Sequence, residues 1–150
     1  MKKIRFCAIL LLSLLLLTAC GKTKIVTGGA HSEHDGVYLT LDAVYDVTEH
    51  EHHLEVTWHN GSEREIIYGK RYTIEYKTEN GWESVLSSDF EVEEIAFCLT
   101  AGGTAVHRYS TLYFDLSKTG RYRLSASFTA PDNETGSTLW VEFDVIAVKD

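Results

Sequence analysis

The sequence has little cysteine, proline and basic charge, and each scarcity excludes a class of protein. Its 150 residues include three cysteines, one proline, and 14 lysines and arginines against 22 aspartates and glutamates. Nucleic acids and anionic bilayer surfaces are bound through basic patches, so the acidic balance argues against both as direct surface partners. The chain also lacks a Gly-x-Ser-x-Gly elbow and a glycine-rich phosphate loop before a helix. The sequence therefore contains no candidate catalytic residue and no motif for a dissociable cofactor. We predict that the protein is not an enzyme.

Long hydrophobic runs are also scarce, and the one present lies at the N-terminus. Lys2, Lys3 and Arg5 precede an apolar run over residues 6–17, which ends in Leu-Thr-Ala-Cys at 17–20. A cationic flank, a short apolar core and small residues before a cysteine are typical of a bacterial lipoprotein signal peptide. The run has 12 residues, which is short of the roughly 20 that span a membrane as a helix. We predict that residues 1–19 are removed.

The same motif predicts covalent lipid at Cys20. Its thiol would take diacylglycerol before cleavage leaves Cys20 as the new N-terminus. The lipid then anchors the protein on the extracytoplasmic face of the cell membrane. Cys7 is removed with the signal peptide, so Cys98 is the one remaining thiol and no intrachain disulfide forms. Because Phe97 and Leu99 flank it, we expect Cys98 to be a buried, small apolar side chain.

The mature chain is predicted to consist of a tether and one domain. Residues 20–35 contain few apolar side chains and a glycine pair, and we expect a lipidated flexible tether that spans on the order of 20 Å. Residues 36–150 are enough for one domain with a hydrophobic core. Three of the 14 cations lie in residues 1–19, which leaves 11 against 22 anions and a net charge of about −11.

From residue 36 onward, apolar residues alternate with polar ones, and no segment shows helical spacing. The predicted strands lie at 37–45, 54–58, 72–76, 82–86, 90–99, 106–114, 122–128 and 138–148. The turn at 79–81 forms the clearest hairpin, and residues 130–137, which contain the only proline, are expected to form an exposed loop. Seven or eight antiparallel strands without a helix predict an all-β, two-sheet β-sandwich, with a small barrel as the alternative.

Tyr122 has the sequence setting of a tyrosine corner. It follows the turn glycine Gly120 at the start of a strand and precedes the core position Leu124, as in immunoglobulin-like sandwiches. Four further segments accompany this one: 67–69 (Ile-Tyr-Gly), 72–76 (Tyr-Thr-Ile-Glu-Tyr), 81–85 (Gly-Trp-Glu-Ser-Val) and 142–145 (Glu-Phe-Asp-Val). In order and rough spacing they resemble a bacterial immunoglobulin-like domain of Firmicute surface lipoproteins, over roughly residues 36–148. One departure is Ala101, at a position where the family's proline is expected.

This resemblance implies a surface-anchored, non-catalytic module with an immunoglobulin-like fold, and it carries over no catalytic residue. We expect a binding or structural role for an envelope protein, peptide or glycan. Loops on a rigid β-scaffold commonly carry binding, and residues Asp132, Asn133, Glu134 and Thr135 form the candidate binding loop. The alternative is that these residues form a turn that tolerates sequence changes and has no binding function.

Histidine supports a second hypothesis. Of the seven histidines, several lie in two clusters, at 31–35 and 50–53. Neutral imidazole is a common ligand of Zn and Cu. His31 and His34 on the tether are therefore candidate metal ligands, and so are His50 and His52, which would share a strand face if the strand began that early. Neither cluster has the spacing of a known metal site, and solvated loop histidines are the alternative. The alternative function is therefore a metal-binding lipoprotein.

Overall fold

A computed structural model describes residues 22–26, 29–41, 45–46, 53–131 and 133–148, and the statements below concern these residues. They form eleven strands and no helix. The strands are β1 (Lys22–Val26), β2 (Glu33–His34), β3 (Val37–Leu41), β4 (Tyr45–Asp46), β5 (His53–Asn60), β6 (Ile66–Thr78), β7 (Gly81–Ser84), β8 (Ala96–Leu99), β9 (Thr104–Ser110), β10 (Gly120–Ala130) and β11 (Asn133–Val148). No helix long and apolar enough to cross a membrane occurs in this part of the chain.

The strands build two separate antiparallel sheets. The larger has the order β4-β1-β11-β10-β6-β7, with β8 also paired to β6, and the smaller has the order β2-β3-β5-β9. This confirms the predicted two-sheet β-sandwich over the small barrel. The strand count exceeds the predicted seven or eight because short strands such as β2 and β4, with two residues each, are too short to show alternation.

The core lies where the inward positions of the two sheets meet. Strand β5 alternates between buried and partly exposed residues along its whole length, as a strand with one buried face requires. Trp58 is fully buried, stacks on Tyr68 with ring centroids 4.3 Å apart, and donates its indole N–H to the Tyr109 hydroxyl at 2.9 Å. Hydrophobic burial holds the sheets together, and the indole nitrogen of Trp58 keeps a hydrogen-bond partner inside the core.

The N-terminal segment is part of the sandwich, so the flexible tether predicted over 20–35 does not hold for its described residues. Strand β1 pairs with β11 from Lys22↔Val148 to Val26↔Asp144. Strand β2 then pairs with β3 of the other sheet. Composition did not indicate this because strand pairing uses backbone amides and carbonyls, which every non-proline residue supplies.

The predicted loop at 130–137 is a hairpin instead. Ala130 pairs with Asn133 and Phe128 pairs with Ser137, so β11 carries two extra residues at this position. Gly136, with a φ of 64°, lies in this bulge and adopts a backbone conformation that glycine enters at little cost. The prediction failed because polar residues at the end of a hairpin resemble those of a loop.

Two predicted strands are shorter than expected, and the burial of Cys98 was predicted wrongly. Strand β8 covers Ala96–Leu99 rather than 90–99, and β9 covers Thr104–Ser110 rather than 106–114. In β8, Leu99 is buried and Cys98 is exposed. Successive side chains of a strand point to opposite faces, so apolar neighbours do not bury the residue between them.

Candidate functional site

Strand β6 changes register in its middle, and this irregularity shapes the candidate site. Tyr72 pairs with Ala126 of β10, whereas Tyr68 pairs with Phe128. Three residues of β6 therefore oppose one residue of β10, and the three begin with Gly69. Glycine inside a strand commonly marks such a bulge. The hydrogen-bonded ladder between the two strands is interrupted at this point.

Residues 90–95, which we call the strap, cross the bulge, and two ion pairs link them to β6. Lys70 Nζ lies 2.9 Å from Glu93 Oε2, and Arg71 Nη2 lies 2.9 Å from Glu94 Oε1. The Arg71 and Glu94 side chains are 80% and 84% exposed, and pairs that are open to solvent contribute little to stability. The Arg71–Glu94 pair therefore joins the strap to β6 but adds little to the stability of the fold.

The first residue of the strap is fixed more firmly. The Phe90 ring stacks on Tyr113 with centroids 4.7 Å apart and an interplanar angle of 11°. It also contacts the rings of Tyr72 and Phe114, at 5.5 and 5.6 Å. Offset or edge-to-face packing of this kind stabilises beyond the burial of area alone. One end of the strap is thus part of the aromatic core.

A groove of about 570 Å³ lies between the strap and β10, and we call it the outer groove. Its apolar lining comes from Ile67, Val92 and Ile95, of which Ile95 is 40% exposed. Ser127 and Thr129 of β10 and the two ion pairs supply its polar groups. Known ligand sites have volumes of about 300–1,000 Å³ with a mostly apolar lining. The outer groove has the size and lining of a binding site.

A second groove, of about 270 Å³, lies between the strap and β9, and we call it the edge groove. Its lining includes the rings of Tyr72, Phe90, Tyr109 and Tyr113. Burial, followed by the nearby Tyr113, raises the pKa of Tyr72 to about 12. The Tyr72 hydroxyl donates to the carbonyl of Ser110, so this phenol is a protonated structural donor.

The titratable groups around the two grooves do not form a catalytic set. Burial and then the charge of Lys70 lower the pKa of His107, whose ring lies 4.9 Å from Phe97. The hydrogen bond from Lys70, followed by its charge, lowers the pKa of Glu93, which therefore stays a carboxylate at neutral pH. Acid–base catalysis needs a proton donor or acceptor aimed at a reacting group. The Glu93 carboxylate is already held in an ion pair with Lys70. This favours a binding role for the grooves over a catalytic one.

Tyr122 has the geometry that its sequence setting indicates. Its side chain is fully buried, and its hydroxyl donates to the carbonyl oxygen of Lys118 at 2.8 Å. Its ring stacks on Phe143 with centroids 5.6 Å apart. A buried phenol that bonds to the backbone a few residues upstream is the tyrosine corner of immunoglobulin-like sandwiches.

Comparison with known proteins agrees with this fold. The family model for the bacterial Ig-like domain matches residues 33–144. The chain belongs to this family. Neither a curated protein nor a solved structure matches it. Bacterial Ig-like domains are usually extracellular or surface-exposed, generally non-catalytic, and serve as binding or structural modules.

In this Ig-like domain the described histidines of the first cluster do not converge. His31 stacks on Tyr38, which in turn stacks on His59, with centroids 5.1 and 4.5 Å apart. His34 Nε2 lies 3.7 Å from Asp35 Oδ2. Within the part of the chain that the structure describes, no three His, Cys, Asp or Glu residues are arranged to hold a metal ion.

The remaining predicted site residues fall in two groups. Cys20, His50, His52 and Asp132 lie outside the described residues, so their roles stay predictions. The other candidate-loop residues, Asn133, Glu134 and Thr135, belong to strand β11 of the Ig-like domain. Gly136, which follows them, lines the outer groove. The hairpin predicted as a binding loop therefore borders the groove.

The sequence contains a pattern that indicates the strap, but a search for alternating apolar and polar residues misses it. Lys70 and Arg71 are followed, at the same separation of 23 residues, by Glu93 and Glu94. Two adjacent cations matched by two adjacent carboxylates are consistent with segments that lie side by side. Together with Gly69, a glycine within an otherwise regular strand, this pattern indicates a bulge covered by another segment.

Proposed function

We propose that this Ig-like domain is the extracytoplasmic part of a membrane-anchored lipoprotein and holds an envelope protein or peptide in its outer groove, without catalysis. The anchor is the diacylglycerol predicted at Cys20, supported by the signal-peptide pattern of residues 1–20. The family's usual extracellular location is consistent with it. The partner-binding role rests on one observation, the outer groove of about 570 Å³.

A polypeptide fits the chemistry of this groove. Ile95, at 40% exposed, offers apolar surface that a partner would bury. The bulge in β6 interrupts the ladder beside Ser127. The hydroxyl groups of Ser127 and Thr129 line the groove, and a hydroxyl can both donate to and accept from a peptide backbone. The charges at the rim are paired with each other, so no single charge sign is required of the partner.

Anchoring is tested with the Cys20→Ala variant. The wild-type protein is expected to partition with membranes and to incorporate palmitate, whereas Cys20→Ala accumulates as an unprocessed precursor without label. A charge-neutral change outside the motif, Ser32→Ala, serves as the processing control. Palmitate labelling of Cys20→Ala equal to that of the wild type would remove the lipoprotein part of the proposal.

Partner binding is tested through the native thiol. Cys98 is exposed and pairs across the sheet with Ile67, a residue of the outer groove. A thiol-linked photocrosslinker on Cys98 of the membrane-bound protein should therefore capture whatever occupies the groove. Ile95→Asp should abolish the capture, because it places a charge on the apolar lining.

The control is Val106→Asp, which puts the same charge on a residue of β9 that is 64% exposed and lies outside the outer groove. It should leave the capture unchanged. Equal capture by wild type, Ile95→Asp and Val106→Asp, with unchanged melting temperatures, would contradict binding in the outer groove.

A further inference from the structure

The first strand begins almost immediately after the predicted lipid anchor. Cys20 precedes Lys22, the first residue of β1, by two positions. Two residues span at most about 7 Å, and Lys22 pairs with Val148 near the end of β11. Lipid at Cys20 would therefore hold this end of the sandwich within a few ångströms of the headgroups, instead of at the end of a long tether.

Strand register shows which other parts lie at that end. Gly120 of β10 pairs with Val145, and Tyr76 of β6 pairs with Tyr122. The β6–β7 turn at 79–80, which closes on the pair Thr78↔Gly81, follows at the same end. We call this the anchored end, defined by Lys22, Val148, Gly120 and residues 79–80.

The outer groove lies towards the opposite end. It is lined by Ile67 and Thr129, which pair with each other. Thr129 follows Gly120 by nine positions in β10, which at about 3.3 Å per residue amounts to roughly 30 Å. The loop at 100–103 also lies at this end, because Leu99 pairs with Ile66.

We propose that the short distance in the chain from Cys20 to β1 keeps the anchored end nearest the bilayer, so that the sandwich stands upright with the outer groove facing away from the membrane. This rests on the proposed lipidation of Cys20. The net charge is consistent with the upright orientation: the mature chain has 11 cations against 22 anions, and lying flat would bring more of this negative charge close to anionic headgroups. The groove would then take its partner from the side away from the bilayer.

Energy transfer to a lipid-borne acceptor tests this orientation. The full-length lipidated protein, with Cys98→Ser as background, is labelled at Glu79→Cys on the anchored end or at Ala101→Cys on the far end. Both native residues are exposed. In liposomes of phosphatidylglycerol and phosphatidylethanolamine, the offset of roughly 30 Å along the strands should make transfer from position 79 several-fold more efficient than from position 101.

A lengthened link supplies the control. A Gly/Ser linker of about 12 residues inserted between Gly21 and Lys22 behaves as a flexible coil, and it should remove most of the difference between the two positions. Equal transfer from positions 79 and 101 in the bound original protein would overturn the upright orientation and leave lipid anchoring intact. Failure of the full-length protein to bind liposomes would overturn the anchor, and the orientation with it.

Discussion

The Tyr122 hydroxyl donates a 2.8 Å hydrogen bond to the carbonyl oxygen of Lys118, although the Tyr122 side chain is fully buried. Burial, followed by the charge of Asp115, raises the pKa of Tyr122 to about 12, so the donor keeps its proton at neutral pH. The bond ties the start of β10, a central strand of the larger sheet, to the segment that leads into it. The two residues are four positions apart in the sequence, yet their bond positions a strand that packs against distant parts of the chain.

The first prediction concerns this bond. Tyr122→Phe should lower the free energy of unfolding by about 1–3 kcal/mol, because it removes the hydroxyl of a buried side chain and leaves the Lys118 carbonyl without this donor. Urea denaturation of residues 22–150 measures the loss. Tyr76→Phe is the control, since its hydroxyl donates to the Thr119 carbonyl at 3.3 Å in an exposed setting. Equal losses from the two changes would contradict a special role for the Tyr122 bond.

The tyrosine corner and the core strands were predictable because their determinants are local. Gly120 and Tyr122 lie two residues apart, and the burial of Leu54, Val56 and Trp58 follows from alternation within one strand. The family resemblance drew on the same local segments, and the match over residues 33–144 confirms its bacterial Ig-like domain.

The candidate site was not predictable in the same way, because it depends on partners that are distant in the chain. The outer groove exists because the strap meets the bulge of β6 across 23 residues. Pairing of β1 with β11 joins segments separated by more than 100 residues. Backbone pairing of this kind leaves no periodic side-chain signal, so composition predicted a tether.

The role of Asn60 also depends on partners that are distant in the chain. The second prediction concerns this residue. It is 1% exposed, and its Nδ2 lies 2.7 to 3.0 Å from the carbonyl oxygens of Arg64, Leu99 and Thr100. Its Oδ1 accepts from the amide and hydroxyl of Ser62. A residue that looks like a turn former in the sequence therefore joins two loops of the sandwich.

Asn60→Asp should cost at least about 2 kcal/mol, because it places a buried carboxylate against three carbonyl oxygens and removes their donor. Thermal and urea unfolding at neutral pH measure the effect. Asn80→Asp, the same change in an exposed turn, should alter stability little. A small effect at position 60 would mean that the loops are held by other contacts.

The third prediction concerns pH. Burial, followed by the charge of Lys70, lowers the pKa of His107 below its value of 6.5 in the unfolded chain. Between those two pKa values the unfolded state binds more protons than the folded state, so stability is lost as the pH falls below about 6.5.

The free energy of unfolding, measured from pH 7.5 to pH 5, should therefore fall more steeply for the wild type than for His107→Gln. His34→Gln, at an exposed position, is the matched control and should keep the wild-type slope. Identical slopes for wild type and His107→Gln would show that His107 does not contribute to acid sensitivity.

The last prediction separates the two kinds of contact that hold the strap. Phe90 packs on Tyr113 within the aromatic core, whereas the Arg71–Glu94 pair is open to solvent. Phe90→Ala should lower stability by about 1–3 kcal/mol, less than for a fully buried phenylalanine. It should also speed amide hydrogen exchange across residues 85–95, because the strap loses its fixed end.

Glu94→Gln is the matched variant, since it breaks the exposed ion pair and keeps the shape of the side chain. It should change exchange in the strap only slightly, because solvent and salt screen such pairs. If Glu94→Gln releases the strap as much as Phe90→Ala does, then the ion pairs hold the wall of the outer groove, and partner binding should weaken with rising salt. If only Phe90→Ala releases it, the groove keeps its shape across ionic strengths, as a preformed binding site would.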